Sequence, residues 1–198
     1  MIAALVPAAG RSERMGRPKL TLPVGGVSLI ARVVAALRAG GADRVVVVTP
    51  PADTPGASKI IVDAEGEGGE VVVLDRATAD MRATFERGLD HLEKGPRPVG
   101  LLLCPGDSPG ISAPLVERVV FGFQEQTDRI IIPTYHGTRG HPVALPWRLA
   151  VKVRRLPVGV GVNALIKAHA DRVLTLDLGD PNALADMDTP EDYARWSR

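Results

Sequence analysis

The chain has 198 residues, 45% of them hydrophobic, with 24 Lys and Arg against 23 Asp and Glu for a net charge of +1. That is long enough to bury a sizeable core, and it points to one domain over 1–198. Near-neutral charge and only 4% aromatics argue against a nucleic-acid surface, which needs basic patches and stacking platforms. One cysteine excludes an internal disulfide framework and fits a reducing, cytoplasmic setting. The apolar opening lacks a basic start and is too short to span a bilayer, so no membrane partner is expected.

In chain order, IAALVPA at residues 2–8 is short, aliphatic and bounded by Pro and Gly, as a buried strand is. It runs into GRSERMGRPK, where Arg11, Arg14, Arg17 and Lys19 gather around two glycines. At the carboxyl end of a strand, Gly10 can make a tight turn and let backbone N–H groups face an anion, giving a candidate phosphate cradle. A solvated basic loop is the bland alternative. Neither the nucleotide-hydrolase loop nor the GxGxxG dinucleotide fingerprint fits the spacing.

SLIARVVAALRAG repeats Leu29, Val33 and Leu37 at helical spacing, and DRVVVVTP reads as the next strand. PPADTPGASK and AEGEGGE read as a surface excursion. EVVVLD is a strand; MRATFERGLDHLEKG sets Met81, Phe85, Leu89 and Leu92 on one helix face and closes on Gly95. VGLLLCPGD, DRIIIPTY and DRVLTLDL complete the strands, and APLVERVVFGFQEQ and VNALIKAHADR are two further helices. Such alternation predicts an α/β fold: a mostly parallel, Rossmann-like sheet between two helical layers, with functional residues at the carboxyl ends of the strands. Cys104 is read as core, with no His or acid at catalytic spacing.

Asp107, in GDSPG at the tip of the fourth of these strands, is by its residues alone either a turn-former or a metal ligand. DMDTPEDY offers a second carboxylate in either Asp186 or Asp188; Pro190 suits the first helical turn there, and Asp188 could simply cap it.

PAAGRSERMGRPKL is similar to the nucleotide-binding signature of the nucleotidyltransferases related to the molybdenum-cofactor guanylyl- and cytidylyltransferases, the MobA-like branch of the NTP transferase superfamily. LLLCPGDSPGI, GHPVALP and DMDTPEDY follow in the order that family shows. The resemblance implies a three-layer nucleotide-diphospho-sugar transferase fold and a magnesium-dependent transfer of a nucleoside monophosphate to a phosphate-bearing small molecule, with pyrophosphate released. It implies that Ala8, Ala9, Gly10, Arg11, Ser12 and Gly16 lie against the nucleoside triphosphate, that Arg14 and Lys19 neutralise its phosphates, and that Asp107 and Asp186 hold Mg2+. Met81 and Thr84 would border the base and ribose, although Asp80 and Arg82 replace the family's Gly and Ser there; the competing reading of Met81 is a core side chain. His141 would orient the acceptor or satisfy a turn.

The implied acceptor is molybdopterin, with a molybdoenzyme as a transient recipient of the product. Ala8-Ala9-Gly10 resembles the cytidylyl branch, where the guanylyl branch carries Ala-Gly-Gly, so CTP is expected over GTP. A sugar- or polyol-phosphate acceptor stays open because VPAAG also resembles the methylerythritol-phosphate cytidylyltransferases, whose Asp-Ala-Ala-Arg-Pro segment is missing here. A nucleotide-binding module without turnover is the remaining alternative, kept open by Gly159-Val160-Gly161-Val162-Asn163-Ala164, which lacks the charges of the cytidylyl branch.

Overall fold

The computed structural model describes residues 1–157, 159–179 and 185–197. All six expected strands form, because each is a run of Val, Ile and Leu with apolar neighbours on both faces. They are β1 (Ile2–Pro7), β4 (Arg44–Thr49), β5 (Glu70–Val73), β6 (Gly100–Leu103), β7 (Ile130–Tyr135) and β10 (Val173–Asp177). Three shorter pieces accompany them: a hairpin of β2 (Pro23–Val24) and β3 (Val27–Ser28), β8 (Thr138–Arg139) and β9 (Val143–Pro146). The main sheet runs in the order β10-β7-β9-β6-β1-β4-β5, with β8 on β7.

The pairings of β1 with β4 and β6, of β4 with β5, and of β10 with β7 are parallel, so these strands end along common edges. β9 is inserted antiparallel between β6 and β7. The sequence reading treated GHPVALP as an acceptor-side motif and did not anticipate this strand.

The helices are α1 (Leu29–Ala39), α2 (Ala57–Gly66), α3 (Met81–Leu92), α4 (Ala113–Glu125), α5 (Trp147–Ala150), α6 (Val162–Ala168) and α7 (Pro190–Trp196). Alternation along β1 shows the layering. Ala4 and Val6 pack with Leu29, Val33 and Leu37 of α1 and Val116 and Phe123 of α4, whereas Ala3 and Leu5 pack with Phe85, Leu89 and Leu92 of α3. The result is the mostly parallel three-layer arrangement that the strand and helix alternation predicts.

Two expectations for individual elements change. The supposed surface excursion contains α2, whose Ala57, Ile60 and Ala64 are buried. In α3, Phe85, Leu89 and Leu92 are buried as expected, but Met81 is 59% exposed and does not join the core. Helix starts follow local chemistry: the Ser28 side chain accepts from Ala31 N–H at α1, and Asp80 accepts from Ala83 N–H at α3. Among the described residues, no helix is long and apolar enough to cross a membrane.

Candidate nucleotide site

β1 delivers the glycine loop and β6 delivers the Asp107 turn, and because these strands are adjacent and parallel, the two segments leave the sheet side by side. Backbone bonds continue the pairing beyond the strands: Ala8 N–H donates to Val48 O, Cys104 N–H to Leu5 O and Gly106 N–H to Pro7 O. A cavity of ≈ 590 Å³ opens above them. Its walls are Ala8 to Arg14 and Lys19 from the first loop, Ala77 to Met81 and Thr84 from the start of α3, and Pro105, Asp107 and Asp188.

The loop's shape does not come from Gly10. The left-handed residues are Ser12, at φ 52°, and Gly16, at φ 68°. Ser12 is an uncommon residue type for that region and is held there by its neighbours: its carbonyl accepts from Met15 and Gly16 N–H, and its Oγ accepts from Lys19 N–H at 3.2 Å. Gly16 closes the short 3₁₀ turn Glu13–Met15 and does not line the cavity. A β-carbon on Gly10 would meet nothing within 4 Å; this glycine leaves open space at the cavity mouth instead of making the expected turn.

The four basic residues divide. Arg11 is exposed and lies 3.8 Å from Glu13. The Arg17 guanidinium sits 5.0 Å from the centre of the Tyr193 ring and so helps dock α7 against the loop. Arg14 and Lys19 reach the carboxylates of Asp107 and Asp188 in the cavity. Lys19 Nζ donates to Asp107 Oδ2 at 2.5 Å and to Asp188 Oδ1 at 2.7 Å, with its side chain 12% exposed. Arg14 Nη2 donates to the second oxygen, Asp188 Oδ2, at 2.7 Å.

Asp188 is therefore not a helix cap. Thr189 caps α7, its hydroxyl accepting from Asp192 N–H while the Asp192 carboxylate accepts from Thr189 N–H. This reciprocal box frees Asp188 to face Lys19. Met187, fully buried, donates its N–H to Asp107 O and fastens the segment to the β6 turn. Asp186 is outside the cavity lining and carries no direct bond to Lys19 among the described contacts. It is nonetheless close enough to feel the site: burial, and then the charges of Asp107 and Asp188, push its carboxyl up to about 6.

Charge ordering among the others is consistent with a tight cluster. Burial acts to lower the Lys19 pKa, but Asp107 and Asp188 outweigh it and hold the ammonium above its ordinary value. The Lys19 hydrogen bond, with help from Arg14, holds Asp188 below the usual carboxylate range. His141 lies outside the cavity lining; burial holds its imidazole below the ordinary value, against the opposing effect of a Leu103 backbone hydrogen bond and the Asp107 charge, with Nδ1 buried and unpartnered among the described atoms. On the opposite wall, Thr78 and Thr84 share a hydroxyl hydrogen bond of 2.6 Å, and exposed Met81 borders the opening. The structure thus brings together Ala8 to Ser12, Arg14, Lys19, Met81, Thr84 and Asp107, leaves Gly16, His141 and Asp186 off the cavity surface, and adds Asp188. The sequence signal for Asp188 was its place in DMDTPEDY, where Thr189 offered an alternative cap.

Two carboxylates whose oxygens converge on one ammonium also suit a hard divalent ion, with the ammonium as the stand-in cation. Among the described residues no group of three or more His, Cys, Asp or Glu could hold a metal. A pair of carboxylates plus phosphate oxygens and water is the set that Mg2+ commonly takes.

Comparison with known proteins bears on the chemistry. The family model described as "MobA-like NTP transferase domain" matches residues 4–173. A molybdenum cofactor guanylyltransferase of Rhodobacter capsulatus is 28% identical, over 98% of this chain and 94% of its own. A 2-C-methyl-D-erythritol 4-phosphate cytidylyltransferase of Streptomyces coelicolor is 27% identical, over 93% of this chain and 73% of its own. A crystal structure of a Mycobacterium tuberculosis protein superposes with a TM-score of 0.82 at 26% identity, covering 98% of this chain and 97% of that one. The same protein has been solved in complex with manganese; that structure has a TM-score of 0.77 at 25% identity, covering 99% of this chain and 97% of that one.

Proposed function

Since the chain belongs to the family of MobA-like NTP transferase domains, we propose that this nucleotidyltransferase moves CMP, in preference to GMP, from its triphosphate to the terminal phosphate of molybdopterin. A phosphate oxygen of the acceptor attacks the α-phosphorus, the α–β bridging bond breaks, and pyrophosphate leaves with the electron pair. An acceptor phosphate is already ionised at neutral pH, so no protein base has to remove a proton.

The observation that carries the reading is the meeting of Lys19, Arg14, Asp107 and Asp188 at one side of the cavity. Lys19 and Arg14 hold the β- and γ-phosphates and stabilise the charge that grows on the leaving pyrophosphate. Backbone groups of Ala8 to Ser12 run beneath the nucleotide, and Met81 and Thr84 form the wall beside base and ribose. Asp107 and Asp188 would hold Mg2+, in place of the Asp107 and Asp186 pair that the resemblance implies, and Asp186 would add negative charge from just outside. When bound, the ion neutralises phosphate charge and polarises the α-phosphate. His141, half-buried and outside the cavity lining, orients the acceptor.

The preference for CTP rests on Ala9, whose β-carbon takes space that glycine would leave for a larger purine, and the likeness to a cytidylyltransferase supports it. The likeness to a guanylyltransferase supports GTP and molybdopterin, and the same cytidylyltransferase likeness supports a polyol phosphate as a second acceptor. Pyrophosphate release measured for each of CTP, GTP, ATP and UTP with Mg2+, with molybdopterin or 2-C-methylerythritol 4-phosphate, decides among them. CTP with molybdopterin should give the highest kcat/KM. A higher value for GTP overturns the base assignment, and release only with the polyol phosphate overturns the acceptor.

A further inference from the structure

The opposite charges in the cavity neutralise one another. Lys19 Nζ bridges Asp107 Oδ2 and Asp188 Oδ1, and Arg14 takes the remaining oxygen of Asp188. The Lys19 side chain is 12% exposed, against 26% for Asp107 and 29% for Asp188, so water screens this bridge less than an ordinary surface pair. These are the groups that the function proposed above assigns to two different ligands, the carboxylates to a divalent ion and the cations to phosphates. They cannot do both at once. A magnesium ion bonds oxygen at about 2.1 Å, so an ion held by Asp107 Oδ2 and Asp188 Oδ1 would take the point that Nζ fills.

We propose that Lys19 is a built-in competitor for the metal. The divalent ion enters by displacing Nζ from both carboxylates and Arg14 from Asp188, and the two released cations turn to the triphosphate. Without nucleotide, the released ammonium would be left in a half-buried cavity without an anion, so the exchange is unfavourable and the protein holds metal weakly. With nucleotide, the phosphates receive both cations. Metal and triphosphate are thereby coupled through the protein, in addition to their direct attraction for each other. Arg14, with its side chain 71% exposed, is the weaker half of the lock.

This inference rests on the metal-and-phosphate reading of the site, but its test needs neither turnover nor nucleotide. Mn2+ binding to the nucleotide-free protein is followed by the loss of the free-ion electron paramagnetic resonance signal, in wild type, Lys19→Met, Lys19→Arg and the double variant Lys19→Met/Asp107→Asn. Lys19→Met should bind Mn2+ about tenfold more tightly than wild type, because the carboxylates lose their internal counterion. Lys19→Arg keeps a cation there and should stay within about threefold of wild type. The double variant should lose the gain. Equal or weaker binding by Lys19→Met, or a gain that survives Asp107→Asn, overturns the proposal.

A measurement on the unaltered protein guards against a folding defect in the variants. Mn2+ should speed acetylation of Lys19, read by mass spectrometry, several-fold as the ammonium leaves its carboxylates; an unchanged or slower rate overturns the proposal. The two readings fail separately. Absence of pyrophosphate release with every nucleotide and acceptor would sink the enzyme assignment while the metal titrations still report on Lys19, whereas an active enzyme whose Lys19→Met variant gains no Mn2+ affinity sinks the exchange alone.

Discussion

Gly88→Ala in α3 joins packing to function through one missing methyl group. An ideal β-carbon at Gly88 falls 1.9 Å from Leu5 Cδ1, 3.0 Å from Cγ and 3.2 Å from Cδ2. Carbon atoms prefer about 3.5–4.0 Å, so helix and strand must part by roughly 1.5–2 Å or Leu5 must leave its rotamer. Leu5 is fully buried among Val46, Phe85, Leu89, Leu101 and Leu103, which leaves it little freedom to move. Overpacking of this kind costs about 1–3 kcal/mol. Replacing glycine by alanine inside a helix recovers about 1 kcal/mol. For a contact as short as 1.9 Å the upper half of the overpacking range, about 2–3 kcal/mol, applies, so the clash wins by about 1–2 kcal/mol, which for a chain of this size lowers Tm by about 2–8 °C.

The same displacement reaches the site, because β1 runs into Ala8 and Ala9 while α3 begins with Met81 and Thr84 on the facing wall. A wider cavity should raise the nucleotide KM about three- to tenfold, with a smaller effect on kcat, since Asp107 and Asp188 hang from other segments and hold Lys19 between them. Scanning calorimetry and steady-state kinetics measure the two effects. Leu5→Ala should cost about 2–5 kcal/mol alone, yet in the double variant the two penalties should fall short of their sum by about 1 kcal/mol or more. A Gly88→Ala protein as stable and as tight-binding as wild type, or strictly additive penalties, would refute this account of the α3–β1 contact.

Three further outcomes are expected. Asp107→Asn and Asp188→Asn should each lower kcat/KM about a hundredfold or more with the fold intact by circular dichroism, and Asp186→Asn should be milder; a larger loss at Asp186 would return the second ligand to that residue. Ala9→Gly should shift the ratio of kcat/KM for CTP over GTP toward GTP, and an unmoved ratio removes Ala9 from base selection. Glu70, which accepts two hydrogen bonds from Arg44 and one from His91, has its carboxyl held down at about 2, first by the Arg44 bond. Because the folded value lies below the unfolded one, near 4.3, its stabilisation is complete above that value and lost as pH falls toward 2. Glu70→Gln should therefore lower the unfolding free energy from denaturant titration at pH 7 by about 1 kcal/mol after allowing for solvent screening, and the gap from wild type should narrow below pH 4; a gap that widens on acidification contradicts the pairing.

Much of the fold was legible because buried parallel strands have an unambiguous composition: RVVVVT and GLLL can be little else. The parts that escaped had conflicting local chemistry. β9 is four residues ending in Pro146, too short to outweigh its motif-like setting. α2 opens on Gly56 at φ 84°, with no side-chain cap and a Pro-Gly lead-in, so every local signal spoke for a loop while burial of Ile60 and Ala64 decided for a helix. The site divided along the same line. Lys19 and Asp107 stood out by spacing and strand position. Asp188 did not, because its role depends on Thr189 and Asp192 capping each other and on Met187 binding the Asp107 backbone, contacts that no local pattern records.

The three groups that meet at the Lys19 ammonium lie far apart along the chain: Asp107 is 88 residues after the lysine and Asp188 is 169. A ribosome adding about 5–20 residues per second delivers the last of them on the order of ten seconds or more after the first. Through that interval the basic loop has emerged without its second carboxylate, and β1 waits for β6 before it can gain its second neighbour. A growing chain therefore carries Arg14 and Lys19 through that interval without the Asp188 carboxylate that both of them meet in the folded protein, and the last segment to be made completes the charge pairing of the first loop.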